Sequence, residues 1–312
     1  METIIITGAT SGIGFQCAVE LARRAPDHRI IIPARNLYKA EAILEKIKLR
    51  TGHQHLKAMV MDLGSLDSIH QFVETFKKEK LGRISILINN AGIQNIGQTT
   101  YTSDGFEETF GVNHLGAFAL TIALLPFLKS DGHILFTSSE THDPALKTPI
   151  EPPVYTSAME IAYPKESSEK MITIGHRRYS TSKLCNIMTV YALQKKLAGT
   201  QIRVNAYDPG MTPGTGLSKS YSIFMRFLWK NILPVLTLFK KNVHTPSQAG
   251  KNLAVLAISE KYQHLKGIYF SNGQVVRSSK DSYNECFQND LWTQSLALTQ
   301  QNFVEHFSPN LS

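Results

Sequence analysis

The stretch from Thr3 to Arg24 constrains the fold more than any other. Thr3-Ile4-Ile5-Ile6-Thr7 is an unbroken run of β-branched side chains, the composition of a strand buried on both faces of a parallel sheet. It stops at Gly8-Ala9-Thr10-Ser11-Gly12-Ile13-Gly14, and Phe15 to Arg24 then reads as a helix. Strand, glycine-rich turn and helix in that order form the context of a dinucleotide fingerprint. Glycines let the backbone approach a pyrophosphate closely, and a helix N-terminus offers unpaired amides to its charge. Gly8, Thr10, Ser11, Gly12, Ile13 and Gly14 are the expected contacts.

The pattern continues along the chain. Arg29 to Ala34 reads as a second strand, followed by Arg35-Asn36. Dinucleotide folds place an acid about 20 residues beyond the glycines to bind the ribose 2′-hydroxyl, or an arginine to accept a 2′-phosphate. Arg35 falls at that distance and no acid stands at the strand end, so NADP(H) is expected rather than NAD. Leu56 to Met61 supplies a third strand ending at Asp62-Leu63, and Ile84 to Ile88 a fourth ending at Asn89-Asn90-Ala91-Gly92. Gly132 to Thr137 runs into Ser138-Ser139, and Ile202 to Tyr207 into Asp208-Pro209-Gly210. A helix from Pro246 and a closing strand at Gly267 to Ser271 complete about seven strands. The expected architecture is α/β: one doubly wound Rossmann-type parallel sheet with helices on both faces, a single domain over residues 1–312. The polar tail from Lys280 onward is expected to be peripheral.

Composition agrees with one large domain: 312 residues, 42% hydrophobic and 19% charged, enough to bury a substantial core. The net charge of +8 suits an anionic partner, either a phosphate-bearing cofactor or a membrane surface. The basic residues are scattered and no Arg/Lys run with interleaved aromatics occurs, so nucleic acid is not expected. Cys17, Cys185 and Cys286 are distant and odd in number, which indicates neither a disulfide framework nor a metal site and fits a reducing, cytoplasmic compartment. No charged leader precedes Thr3, and no apolar run of about 18 residues suggests a spanning helix. A homo-oligomer is compatible with all of this.

A second constellation lies on one helix, expected from Tyr179 to Leu197. Tyr179 and Lys183 are four residues apart, so both side chains share one face. A free tyrosine titrates near ~10, and a neighbouring cation lowers that value, which yields a general acid and base usable near neutrality. Ser138 and Ser139 stand beyond the carboxyl end of a strand, where ligands gather in open α/β sheets. Ser103-Asp104-Gly105 is expected to cap a helix running to about Lys129, with Asn113 in its interior. Between residues 142 and 178 five prolines break the pattern, and such an insertion reads as a wall or flap of the substrate pocket. A further segment at about 211–245 contains the apolar stretch Ser222 to Phe239, which reads as a substrate-loop helix or as an amphipathic patch for a bilayer surface or lipophilic substrate.

Together these residues resemble the short-chain dehydrogenase/reductase family. Its opening motif Thr-Gly-x-x-x-Gly-Ile-Gly is matched by Thr7 to Gly14, its Asn-Asn-Ala-Gly by Asn89 to Gly92, and its Tyr-x-x-x-Lys by Tyr179 and Lys183. The resemblance implies that Asp62 and Leu63 border the adenine, and that Asn90, Ala91 and Gly92 border the cofactor. It assigns Asn113 to a bent helix that holds a water in a proton relay. It makes Ser139 the hydrogen-bond donor to the substrate oxygen, with Ser138 as the alternative, and gives Tyr179 the proton and Lys183 the nicotinamide ribose. Pro209 and Gly210 precede the carboxamide contact, for which the family's usual position is Gly214 here, leaving Thr212 or Thr215. Val112 to Gly116 and Ser182 to Asn186 look like the branch that holds retinol dehydrogenases and light-dependent protochlorophyllide reductases. The implied function is hydride transfer between NADP(H) and a carbonyl or alcohol of a small lipophilic molecule. Two alternatives are a light-driven reductase, against which Met211 and the intact Asn-Asn-Ala-Gly speak, and a non-catalytic NADP-binding regulator.

Overall fold

In the computed structural model, residues 1–213, 243–301 and 303 are described. Their eight strands form one sheet in the order β3-β2-β1-β4-β5-β6-β7-β8. These are β1 (Thr3–Ile6), β2 (Arg29–Ala34), β3 (Leu56–Val60), β4 (Ile84–Asn89), β5 (Leu128–Thr137), β6 (Arg203–Asp208), β7 (Tyr269–Ser271) and β8 (Gln274–Val276). The first seven run parallel and β8 pairs antiparallel with β7. Expectation stopped at β7. The added strand is a three-residue return after Asn272 and Gly273, both at positive φ, and it is too short and exposed to leave an apolar signature.

The helices are α1 (Gly12–Arg24), α2 (Leu37–Thr51), α3 (Leu66–Lys78), α4 (Glu108–Phe127), α5 (Ala158–Ala162), α6 (Met171–Lys196), α7 (Pro246–Ile258) and α8 (Glu285–Leu298). Both sheet faces are covered, and the period of two along each strand divides the core. Ile5, Ile31, Leu87 and Ile134 pack into the cluster that contains Phe72, Phe118 and Leu193 of α3, α4 and α6. Ile4, Ile6, Ile30, Ile32 and Ile88 join the opposite cluster with α1 and α7. A strand apolar at every position is therefore what this architecture requires. Strand order reverses at β1 and β4, so the crevice beyond their carboxyl ends is the topological switch point where such sheets bind ligands.

Three expectations about helices are corrected. Ser103 and Asp104 do not cap α4. The chain turns at Gly105 (φ 82°), Asp104 Oδ2 accepts from Leu66 N of α3 at 3.0 Å, and Ser103 Oγ donates to Gly64 O at 2.8 Å. Glu107 caps α4 instead, accepting from Thr109 N and Phe110 N. Helix α6 begins at Met171, eight residues ahead of Tyr179, with the Arg177 guanidinium gripping Glu169 at 2.7 and 2.8 Å where the chain enters it. The tail is not peripheral either: α8 buries Leu291, Trp292 and Ser295, and its Asp290 accepts from Tyr155 Oη at 2.6 Å and so pins the 142–178 insertion.

Helix α4 also meets the length and hydropathy of a membrane span, which the sequence reading did not anticipate, but 78% of that window is buried inside the fold. Its polar residues Asn113, His114 and Thr121 interrupt the apolar run without adding charge. The segment Ser222 to Phe239, with Gly214 and Thr215, lies outside the described residues.

Candidate active site

The glycine loop is bound to the end of β4 by Thr7. Its hydroxyl accepts from Asn90 N and Ala91 N, both at 3.0 Å, while Asn90 Nδ2 donates to Thr7 O at 3.1 Å. The two motifs are so close that a Cβ on Gly14 would stand 2.5 Å from both Gly8 O and Asn90 Nδ2. Gly8 and Gly12 take positive φ, 69° and 58°, a conformation that costs glycine little. Ser11 is the N-cap of α1, yet its side chain makes no capping bond, so the first-turn amides are left to face what lies beyond the loop, with Thr10 and Ile13 half-buried beside them. Such an end favours a phosphate.

Arg35 is exposed at the carboxyl end of β2, the strand next to β1. Asn36 caps α2, its Oδ1 accepting from Lys39 N at 2.9 Å; that oxygen orders the helix start rather than reaching outward. Asp62 Oδ1 accepts from Gly64 N at 2.9 Å, which shapes the turn after β3. Leu63 points its side chain into the core. Its carbonyl lies where Gly116 passes, and a Cβ there would come to 2.2 Å.

Gly116 closes a π-helical turn, Gly111–Gly116, inside α4. Such turns add a residue to the helical ring and re-aim side chains. Here the turn carries Asn113, which is buried: its Oδ1 accepts from Ile93 N at 2.7 Å, and its Nδ2 donates to Ile93 O at 2.9 Å and Ser182 Oγ at 3.0 Å. Across Gly92 from Asn113 stands the Lys183 ammonium, since a Cβ on Gly92 would meet Asn113 Oδ1 at 3.4 Å and Lys183 Nζ at 3.2 Å.

Lys183 is 3% exposed and Tyr179 7%. Lys183 Nζ donates to Thr137 O at 3.1 Å and lies 5.5 Å from the centre of the Tyr179 ring. Burial pushes the lysine down to about 8, against the opposing pull of the Asp208 carboxylate. A cation held beside a phenol in a water-poor site favours the phenolate. Ser138 and Ser139 separate cleanly. Ser138 is buried and its Oγ donates to Lys183 O at 2.8 Å, tying β5 to α6. Ser139 is half-buried, and its Oγ accepts from Thr141 N at 3.3 Å, which leaves the hydroxyl proton to donate elsewhere.

Beyond β6, Asp208 organises the turn: Oδ1 accepts from Gly210 N at 2.9 Å and Oδ2 from Ser271 Oγ at 2.8 Å. Gly210 takes φ 67°, and Thr212 Oγ1 lies 3.3 Å from Pro209 O and 3.2 Å from Gly210 O. Sequence reasoning left Asp208 without a role, although an aspartate directly before Pro-Gly is a turn signal. It also passed over Glu107, whose buried carboxylate lies 3.9 Å from Arg178, the neighbour of Tyr179, and so links α4 to α6. Among the described residues no cluster of three metal-binding side chains occurs.

A family model described as short chain dehydrogenase matches residues 2–158, and one described as AcuH dehydrogenase domain matches residues 215–301. The chain is 32% identical over 303 residues to the polyprenol dehydrogenase of Homo sapiens, covering 95% of this chain and 84% of that protein. It is 33% identical over 300 residues to retinol dehydrogenase 13 of Homo sapiens, with the same coverage. A solved protein of Mycobacterium Paratuberculosis superposes with a TM-score of 0.70 at 26% identity, covering 97% of this chain and 95% of that one. The 3-ketoacyl-(acyl-carrier-protein) reductase from Brucella melitensis, solved with NADH, gives 0.62 at 22% identity over 86% and 95%, a likeness of fold. With its motifs on one crevice and its relatives matching along nearly the whole chain, this protein belongs to the short-chain dehydrogenase/reductase family of nicotinamide-dependent oxidoreductases, in the branch of the retinol dehydrogenases.

Proposed function

We propose that the chain is an NADP(H)-dependent oxidoreductase that moves a hydride between nicotinamide and the carbonyl or alcohol carbon of a lipophilic small molecule. The observation that carries this reading is the buried Lys183 ammonium beside the Tyr179 ring, next to Gly92 of the motif that is locked to the glycine loop. The residues fit the cofactor: Gly8 and Gly14 let the loop pack against Asn90 and Ala91 with no side chain between them, and α1 presents uncapped amides to a pyrophosphate. Arg35, exposed on the strand beside β1, suits a 2′-phosphate, and Asn90, Ala91, Gly92, Pro209, Gly210 and Thr212 suit the remaining length of the dinucleotide.

When bound, the nicotinamide supplies or accepts the hydride. Tyr179 gives a proton to the substrate oxygen in reduction and takes it back in oxidation. Lys183 steadies the phenolate and holds the ribose, Ser139 donates a hydrogen bond to the same oxygen, and Asn113 keeps an ordered water on the path by which the proton is replaced. Polyprenol and retinol dehydrogenases among the relatives favour a long apolar alcohol or aldehyde. The three cysteines, all free, suit a reducing, cytoplasmic compartment, and a lipophilic substrate suits a position peripheral to a membrane.

The test is turnover of retinoid, polyprenyl and straight-chain aldehydes with NADPH and with NADH. Tyr179→Phe should keep the fold and the affinity for NADPH while losing at least ~10²-fold in kcat. Arg35→Asp should reverse a preference for NADPH in kcat/KM. Near-normal turnover by the phenylalanine variant removes Tyr179 from the chemistry, and an unchanged cofactor ratio removes Arg35 from cofactor choice.

A further inference from the structure

Ser139 is held from behind by a histidine. Its backbone carbonyl accepts from His142 N at 3.2 Å and lies 2.7 Å from His142 Nδ1, while the other ring nitrogen, Nε2, lies 3.0 Å from Ser279 N. A carbonyl can only accept and a backbone N–H can only donate, so the proton sits on Nδ1 and the lone pair on Nε2. The imidazole is thus one neutral tautomer with both nitrogens used, 1% exposed, set edge-on to Tyr269 of β7 at 4.8 Å. Ser279 is itself anchored: Ser282 Oγ donates to Ser279 O at 2.6 Å, and Gln288 Nε2 of α8 donates to Ser282 O at 2.8 Å. The chain of bonds runs from the C-terminal helix through one ring to the carbonyl of Ser139.

Resting on the reading that Ser139 donates to the substrate oxygen, we propose that His142 is the positioning residue of that serine. It clamps the turn after β5 against residue 279, so that the hydroxyl, already fixed from one side by Thr141 N, stays at the height the reacting oxygen requires. A reacting group displaced by about 1 Å can cost 10²-fold in rate. Loss of the clamp should therefore fall on kcat rather than on cofactor affinity.

Ser279→Pro tests this from the residue that faces the ring. Ser279 has φ −58°, close to the proline value of about −65°, and its buried hydroxyl has no hydrogen-bond partner, so the backbone accepts the change, which replaces the N–H facing Nε2 by a methylene and pushes the imidazole off residue 279. Kinetics with NADPH and an aldehyde that the parent protein reduces should show kcat down about tenfold, KM for NADPH within about twofold, and no further loss when Ser279→Pro is added to Ser139→Ala. His142→Phe, which removes both ring bonds in a similar volume, gives the same comparison should the proline variant fail to fold. Independently of activity, nitrogen-15 NMR of the His142 ring should report the Nδ1–H tautomer. An Nε2–H ring, an unchanged kcat, or losses that add in full to those of Ser139→Ala would overturn the positioning role. A Ser139→Ala variant with normal turnover would instead remove the serine from the chemistry, and the clamp's function with it.

Discussion

At the scale of single residues, the site works by what is denied to water. Lys183 sits in the core with one carbonyl partner, and its amine is held at about 8, against 10.5 in solution, by burial. The sign of the consequence follows from proton counting. Between pH 8 and 10.5 the unfolded chain binds the proton more tightly than the folded one, so folding stability rises with pH through that window and the full penalty stands below pH 8. Its size is on the order of 3 kcal/mol. Lys183→Met should thus be more stable than the parent at pH 7, and the difference should shrink towards pH 10.5. Urea unfolding of the two proteins across that range checks this, because titrating groups away from Lys183 cancel in the comparison. A lysine kept at such a cost is most simply explained by chemistry.

Among elements, the C-terminal helix decides more than its composition suggested. In α8, Trp292 packs edge-on to Phe118 of α4 at 5.2 Å, with the Lys196 ammonium of α6 5.0 Å from its ring. Ser295 Oγ meets His114 Nε2 at 2.9 Å, directly beside Asn113 in the π turn. One helix therefore braces both elements that carry the residues proposed to handle the proton. Trp292→Ala should lower stability by roughly 3 to 5 kcal/mol, read by chemical denaturation. If the brace matters to the site, kcat should fall as well at temperatures where the variant is fully folded. The helix was hard to read because its buried residues, Leu291, Trp292 and Ser295, are spread among Asn289, Asp290, Thr293 and Gln294. Its apolar face becomes a face only against α4 and α6. Capping misled in a similar way: Ser103-Asp104 has the right chemistry for an N-cap, and Asp104 does serve one helix end, but that of α3.

Over the whole molecule, buried histidines set the behaviour in acid. Burial holds His114 and His133 each at about 3, well below the ordinary 6.5, and His142 is lowered by the same cause. For a group depressed in this direction the stability is whole above pH 6.5 and is lost as pH falls towards 3, because the unfolded chain takes up the proton first. By pH 4 each of the first two costs roughly 3 kcal/mol, together a large part of a typical domain's 5–15 kcal/mol. Cooperative acid unfolding should begin below pH 6.5. In His133→Gln the slope of stability with pH between 6.5 and 4 should be shallower, whatever stability that variant loses at pH 8 through the bonds to Asn205 and Ala257. Equal slopes would show that His133 does not charge during unfolding.

Local order in the chain was enough to settle the seven parallel strands, the glycine loop and the placing of Tyr179 and Lys183 on one helix face. Each depends on residues a few positions apart: a β-branched run must be sandwiched, a turn of glycines must bend, and side chains four apart on a helix must share a face. The family resemblance already named Ser139 ahead of Ser138; the three-dimensional fold alone shows that the Ser138 hydroxyl is spent on the carbonyl of Lys183. It alone set Asn113 in a π turn, brought Glu107 to Arg178, and drew the tail back as a brace. Those contacts join residues far apart in sequence, and hydrogen bonds of that kind leave no periodic trace in the chain that makes them.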